Sequence, residues 1–167
     1  SEFSNDSYYT KGLLRRNVVQ DASGARFVEG ENTYLLRDVD TGAVPANAHS
    51  LTAALFPMLT RSDQRYYEGG LQPGKTTYTT QAYDRLGNTT SFFDAGDTGS
   101  QDDVSANVDY SACRDVYVVG VPVKIIVTGN GELLRRREAT VDCASGDVIQ
   151  VRQYLADGSA AVILIVP

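Results

Sequence analysis

The residues of this 167-residue chain with the widest chemical reach are its single histidine, His49, its two cysteines, Cys113 and Cys143, and a set of aspartates between positions 94 and 103. His49 stands beside Ser50, and as a general base it would need a nucleophile and a carboxylate to meet it in space. No Gly-x-Ser-x-Gly elbow occurs in the chain, so His49 reads as an exposed loop histidine. Cys143 falls in a turn with no cue to a base that would activate it. Asp102-Asp103 is an adjacent acid pair, and neighbouring acids in a Gly- and Ser-rich loop are solvated rather than poised for acid–base work. The pattern Asp94-x-x-Asp97-x-Gly99-x-x-Asp102-Asp103 is the calcium candidate: it is oxygen-rich and contains glycine, as a hard cation requires, but it departs from the EF-hand spacing. No cofactor is expected, and the chain reads as non-enzymatic.

Charge narrows the partners. The formal net charge is −6, whereas contacts to nucleic-acid phosphates need a basic face. Arg135-Arg136-Arg137 is the only basic cluster; on a strand its members alternate between faces, which makes a solvated strand and not a phosphate site. No apolar run reaches the roughly 18 to 20 residues of a membrane-spanning helix. The spacing of Cys113 and Cys143 excludes zinc, and leaves open both a bridge and plain thiols.

The elements that must position these residues are hairpins. Tyr83-Asp84-Arg85-Leu86-Gly87-Asn88-Thr89 holds a strand end, a turn and a strand start within seven residues. The Thr- and Tyr-rich run 76–83 suits a pleated surface. Asp84 can accept backbone N–H groups two residues on, and Gly87 can take the positive φ that a Cβ penalises. Asn130-Gly131 is a second hairpin signal, with strands expected over 119–127 and 132–141. Alternation over 119–127 predicts one core face, and Pro122 predicts an edge or a bulge. Asp157-Gly158 predicts a third hairpin between 148–155 and 160–166. In the N-terminal half, 11–20 and 25–36 flank Ser23-Gly24, and 59–67 and 75–83 flank the Gly-rich stretch 69–74. Residues 38–56 predict a loop with at most one short helix.

The expected fold is therefore all-β: successive antiparallel hairpins forming a curved sheet or partial shell. Residues 1–3 read as a cloning remnant and 4–167 as a single β domain cut from a longer chain. Its possible sub-units are 4–93 and 107–167, joined by the polar loop 94–106. The apolar, uncharged stretch 160–166 reads as a strand edge that either self-associates or folds back on its own sheet.

The heptad at 83–89, read as Tyr-Asp-x-x-Gly-Asn-x, resembles the repeat of YD-repeat (Rhs-type) proteins, which include bacterial polymorphic toxins, insecticidal toxin-complex subunits and teneurins. Tyr8-Tyr9-Thr10-Lys11-Gly12, Asp21-Ala22-Ser23-Gly24, Glu31-Asn32-Thr33-Tyr34, Tyr66-Tyr67-Glu68-Gly69-Gly70 and Gln153-Tyr154-Leu155-Ala156-Asp157-Gly158 extend the likeness in degenerate form. Asp142 and Gly146 repeat it with one extra residue. The resemblance implies a structural shell module that helps encapsulate a toxic C-terminal domain, with the rest of its polypeptide as chief partner and a secreted or cell-surface location. Tyr83, Asp84, Gly87, Asn88, Asn130, Gly131, Asp157 and Gly158 would be its structural motif. The aspartate-dependent self-cleavage site of such shells has no match here. The alternative is a binding module for carbohydrate, a cell-surface protein or a partner toxin subunit, with Tyr8, Tyr9, Tyr66, Tyr67 and Tyr117 as an aromatic surface.

Overall fold

The computed structural model of the protein describes residues 1–97, 99–155 and 157–164. The chain is all-β, and its strands are β1 (Glu2–Phe3), β2 (Leu14–Gln20), β3 (Arg26–Asp38), β4 (Leu55–Tyr66), β5 (Lys75–Tyr83), β6 (Thr89–Ala95), β7 (Val104–Tyr110), β8 (Pro122–Gly129), β9 (Glu132–Val141), β10 (Val148–Tyr154) and β11 (Ala160–Leu164). Each strand pairs antiparallel with the next in sequence, giving one open 11-stranded sheet in the order β1 to β11. Among the described residues the only helical piece is a 3-10 turn, Arg114–Val116. Residues 39–54 form a loop without helix.

Several expectations are sharpened or corrected. The β8–β9 hairpin turns on Asn130 and Gly131, with φ of 51° and 78°. Those paired positive angles match the right-handed twist of the flanking strands. Pro122 is not on an edge: β8 lies between β7 and β9. It opens the strand, opposite Tyr110 and next to a register shift at Asp109/Tyr110, where a missing N–H removes no ladder bond. β4 starts at Leu55 and runs through Pro57. That proline is tolerated because β5 pairs only with Arg61 to Tyr66, so the first part of β4 is a local edge. The polar connection between β6 and β7 is shorter than 94–106, since Asp94 and Ala95 end β6 and Val104 starts β7. Ile165 and Val166, expected in the last strand, lie outside the described residues.

The larger correction concerns the core. Alternation along 119–127 predicts a buried face, yet every residue of β8 after Pro122 is half-buried. Among the described residues no second layer covers either face. Among the described residues the buried apolar side chains are Leu55, Met58, Tyr67 and Val119. The chain exposes 10630 Å², against about 8,100 Å² for a compact monomer of its size. Phe92, Ile125 and Val127 stand on one face, and Tyr78, Phe93 and Ile126 on the other.

Polar pairing replaces part of the missing core. Glu29 on β3 is 6% exposed and receives Arg16 from β2 at 3.0 Å, Arg26 at 3.0 Å and Arg65 from β4 at 3.4 Å. The Arg26 guanidinium also lies 4.2 Å from the centre of the Tyr67 ring. Farther along, Arg61 covers Tyr78 at 3.8 Å and Arg136 covers Tyr154 at 4.2 Å. These cation–aromatic contacts cover ring faces that another layer would otherwise bury.

Candidate functional site

The turn at 84–88 is built as its residue types require. One Asp84 carboxylate oxygen accepts the N–H groups of Leu86 at 2.8 Å and Asn88 at 2.9 Å, and the other accepts the Asn88 side-chain amide at 2.9 Å. The Asp84 N–H donates to the Asn88 carbonyl at 2.9 Å, and Gly87 has φ of 87°. Burial works against the charged carboxylate, but these donors outweigh it and hold the Asp84 pKa below the ordinary value. Tyr83 directs its hydroxyl to the Leu59 carbonyl at 3.1 Å and its ring edge-to-face against Phe56, 5.6 Å between centres.

The same geometry recurs. Asp21 accepts the N–H groups of Ser23 and Ala25, and its own N–H reaches the Ala25 carbonyl. Asp142 closes a version one residue longer, onto Asp147, with Gly146 at φ of 84°. Asp38 closes another longer version onto Ala43, with Thr41 donating to its carboxylate at 2.8 Å. This copy escaped the sequence reading, although allowing the extra residue seen at Asp142/Gly146 would have found Asp38/Gly42. In the last hairpin the backbone closure runs from Leu155 to Ser159, and Asp157 instead accepts the Ser159 N–H and hydroxyl at 2.8 and 2.6 Å. Gly158 there has φ of 82°. Hydroxyl or N–H donors hold Asp21, Asp38 and Asp157 below the usual carboxylate range, led by the Ser23 hydroxyl, the Thr41 N–H and the Ser159 hydroxyl respectively.

An antiparallel meander places alternate connections at opposite ends, so 4–13, 39–54, 84–88, 111–121 and 142–147 share one end of the sheet. They are tied to one another. The Tyr9 hydroxyl donates to the Ser50 carbonyl at 2.9 Å and also contacts the Ala53 carbonyl. Arg85 donates to the Asp40 carbonyl, and the Asn88 side-chain amide to the Val119 carbonyl at 2.9 Å. Cys113 and Cys143 form a disulfide across 5.4 Å between Cα atoms, joining the 111–121 loop to the 142–147 turn. A cavity of about 350 Å³ opens at this end beside Ser4, Thr10, Arg15, Asn32 and Tyr34. Its buried hydroxyls bond one another: Ser4 to Thr10 and Ser7 to Thr10, each at 3.0 Å.

The candidates for chemistry do not converge. His49 is exposed, with its backbone N–H on the Asn47 side chain, and the Ser50 hydroxyl accepts N–H groups of its own loop. Cys143 holds no free thiol. Of the calcium candidates, Asp94 lies in β6, Asp97 pairs with Lys75 at 2.6 Å, Asp102 accepts the Asp97 N–H at 2.8 Å, and the Asp103 carbonyl accepts the Asn130 N–H. Among the described residues no group of three or more His, Cys, Asp or Glu is placed to hold a metal ion. The five tyrosines do not form one surface either. Tyr8, Tyr9 and Tyr117 lie at the tied end, whereas Tyr66 and Tyr67 lie at the opposite one, with Tyr67 buried. Within the arginine run, Arg136 pairs with Glu138 at 2.6 Å and Arg137 reaches Gln153 at 3.2 Å.

No protein-family model matches the chain, and no curated protein matches it significantly.

Two substitutions test the turn. Gly87→Val forces a β-branched residue to positive φ and sets its Cβ 3.6 Å from the Phe56 ring; the expected loss is about 2 kcal/mol in urea denaturation. Asp84→Ala removes the acceptor of three N–H bonds, and its expected loss is about 1 kcal/mol. An unchanged midpoint in either variant contradicts a turn held by the Asp84 carboxylate and a left-handed Gly87.

Proposed function

We propose that the chain is a non-catalytic wall segment of the YD-repeat kind, a stretch of β-shell whose work is enclosure. The observation that carries this reading is the single-layer sheet, strand following strand in sequence order with both faces left open. A wall needs two accessible faces and a register that local turns can fix. The recurrent Asp–Gly turns supply that register, and the tied loops stiffen one rim. The Cys113–Cys143 bridge supports a secreted or surface location, because such bonds persist in oxidising compartments.

Hydroxyl-radical footprinting tests the reading. In the longer polypeptide that such a wall belongs to, Phe92, Ile125 and Val127 should differ sharply in labelling from Tyr78, Phe93 and Ile126, one face lining the interior. Equal labelling of the two faces counts against enclosure.

A second reading, a binding module, is favoured by one observation. Tyr117 is 76% exposed on the disulfide-anchored loop and holds φ of 58°, an unusual conformation for a bulky residue. Strain of this kind concentrates at working sites. A glycan array and a pull-down against partner toxin subunits, each repeated with Tyr117→Ala, separate the readings: specific capture lost in the variant favours the module.

A further inference from the structure

β3 outruns its first neighbour. β2 begins at Leu14, which the register sets opposite Thr33, whereas β4 runs beside β3 to Asp38. Past Thr33, the side of β3 that β2 covers elsewhere is therefore an edge inside the sheet, framed by the chain on both sides. The loop 4–13 stands at the end of β2, and Ala48 of the 39–54 loop closes the far side. The gap between them is the cavity of about 350 Å³ at the tied end.

The register fixes which groups face this gap. Bonded and non-bonded pairs alternate along an antiparallel ladder. The Val39 N–H donates to the Ala54 carbonyl at 2.8 Å, so Arg37↔Phe56 and Leu35↔Met58 are bonded pairs, and Tyr34, Leu36 and Asp38 turn their N–H and C=O groups away from β4. Asp38 meets its own loop there: its N–H donates to Ala43, and its carbonyl accepts from Gly42. Among the described residues no backbone group meets those of Tyr34 and Leu36. Leu13, next in line with β2, instead donates its N–H to the Thr10 carbonyl and accepts the Ser4 N–H. Two N–H and two C=O groups thus face the cavity at alternate positions, and the backbone that complements them is another extended strand.

Charge selects the occupant. Of the charged groups lining the cavity, Glu31 receives Arg65 at 3.0 Å and Asp6 the Ser4 hydroxyl at 3.4 Å, whereas Arg15 has no ion pair among the described residues. We propose that the slot takes a short extended peptide, added to β3 as an antiparallel strand in line with β2, with an acidic side chain opposite Tyr34. The extra residue at the Thr33/Tyr34 register shift is Thr60 on β4, so β3 alternates without interruption and that position shares the face of Asn32 and Arg15. It stands two residues from Arg15 along the β2 line, about 7 Å between Cα atoms. The position opposite Leu36, beside Ala48, suits an apolar side chain. The slot does not rest on the wall reading: a chain that binds no peptide leaves the labelling of the two sheet faces unchanged.

The probe is the capped tripeptide acetyl-Val-Thr-Glu-amide, whose valine and glutamate stand opposite Leu36 and Tyr34. Titrated into the isotope-labelled chain, it should shift the Tyr34 and Leu36 amide resonances saturably in the millimolar range and slow their hydrogen exchange. Methylation of the glutamate nitrogen removes one ladder donor and should abolish both effects. Arg15→Gln should weaken binding about two- to fivefold, as for a solvent-exposed ion pair, with the circular dichroism spectrum retained because Arg15 is exposed. Lysine in place of the glutamate tests Asp6 as the rival anchor and should bind more weakly. The proposal is overturned by unmoved Tyr34 and Leu36 amides, by binding that survives the methylated nitrogen, by unchanged affinity in Arg15→Gln, or by a lysine peptide that binds as well.

Discussion

Replacing Cys113 and Cys143 together by alanine should lower stability by about 3 to 4 kcal/mol, the largest effect expected of any change outside the strands. The bridge closes a sequence separation of 30 residues. Opening it returns that closure entropy to the unfolded chain. Its native role is equally direct: it ties the loop after β7 to the turn after β9, across the whole β8–β9 hairpin. That loop otherwise holds to the rim through the Asn88 amide on the Val119 carbonyl at 2.9 Å, while the Ser111 hydroxyl closes the loop on itself at the Val118 carbonyl. Urea denaturation of the double variant, and of the reduced wild type, should show the same drop in midpoint. A loss below about 1 kcal/mol would mean that the loop is held without the bridge.

Glu29→Ala should cost about 3 kcal/mol. The carboxylate is nearly inaccessible, and its removal leaves the Arg16, Arg26 and Arg65 guanidinium groups without the acceptor that gathers them. Breaking a fully buried pair costs about 3 to 5 kcal/mol; these arginines remain about one-third exposed, which places the value at the low end. The hydrogen bond from Arg16, more than any other contact, holds the Glu29 pKa below its ordinary 4.5. A carboxylate depressed in the folded state stabilises above its unfolded pKa, and the contribution is lost as pH falls through the folded value. Wild type should therefore lose stability on acidification below about pH 4.5 more steeply than Glu29→Ala. Parallel pH profiles for the two proteins would show that the cluster is not a folded-state ion network.

What the sequence made legible was local. Asn130-Gly131 and the 84–88 turn lie between residues a few positions apart, so φ preferences and short side-chain bonds decide them. β9 begins and ends at Glu132 and Val141 as expected, because a turn on one side and the Asp142 motif on the other bound it. What escaped depends on partners far apart in the chain. Nothing adjacent to Tyr9 indicates the Ser50 carbonyl, nor does anything near Glu29 indicate Arg65. The alternation of 119–127 carried a true signal of strand and a false one of core. Period-two hydrophobicity reports that a face is less polar, not that another layer exists to cover it. The aspartates of 94–103 depend on distant partners in the same way: Lys75, remote in sequence, pairs with Asp97 at 2.6 Å.

The single-layer architecture is tested most directly by small-angle X-ray scattering on the chain, extrapolated to zero concentration. An open sheet of this many strands, spaced about 4.8 Å apart, should give a radius of gyration of about 18 to 20 Å, with a pair-distance distribution skewed toward a flat particle. A value near 15 Å, that of a compact domain of this length, would mean that the sheet folds onto itself and buries a face, and would contradict the wall.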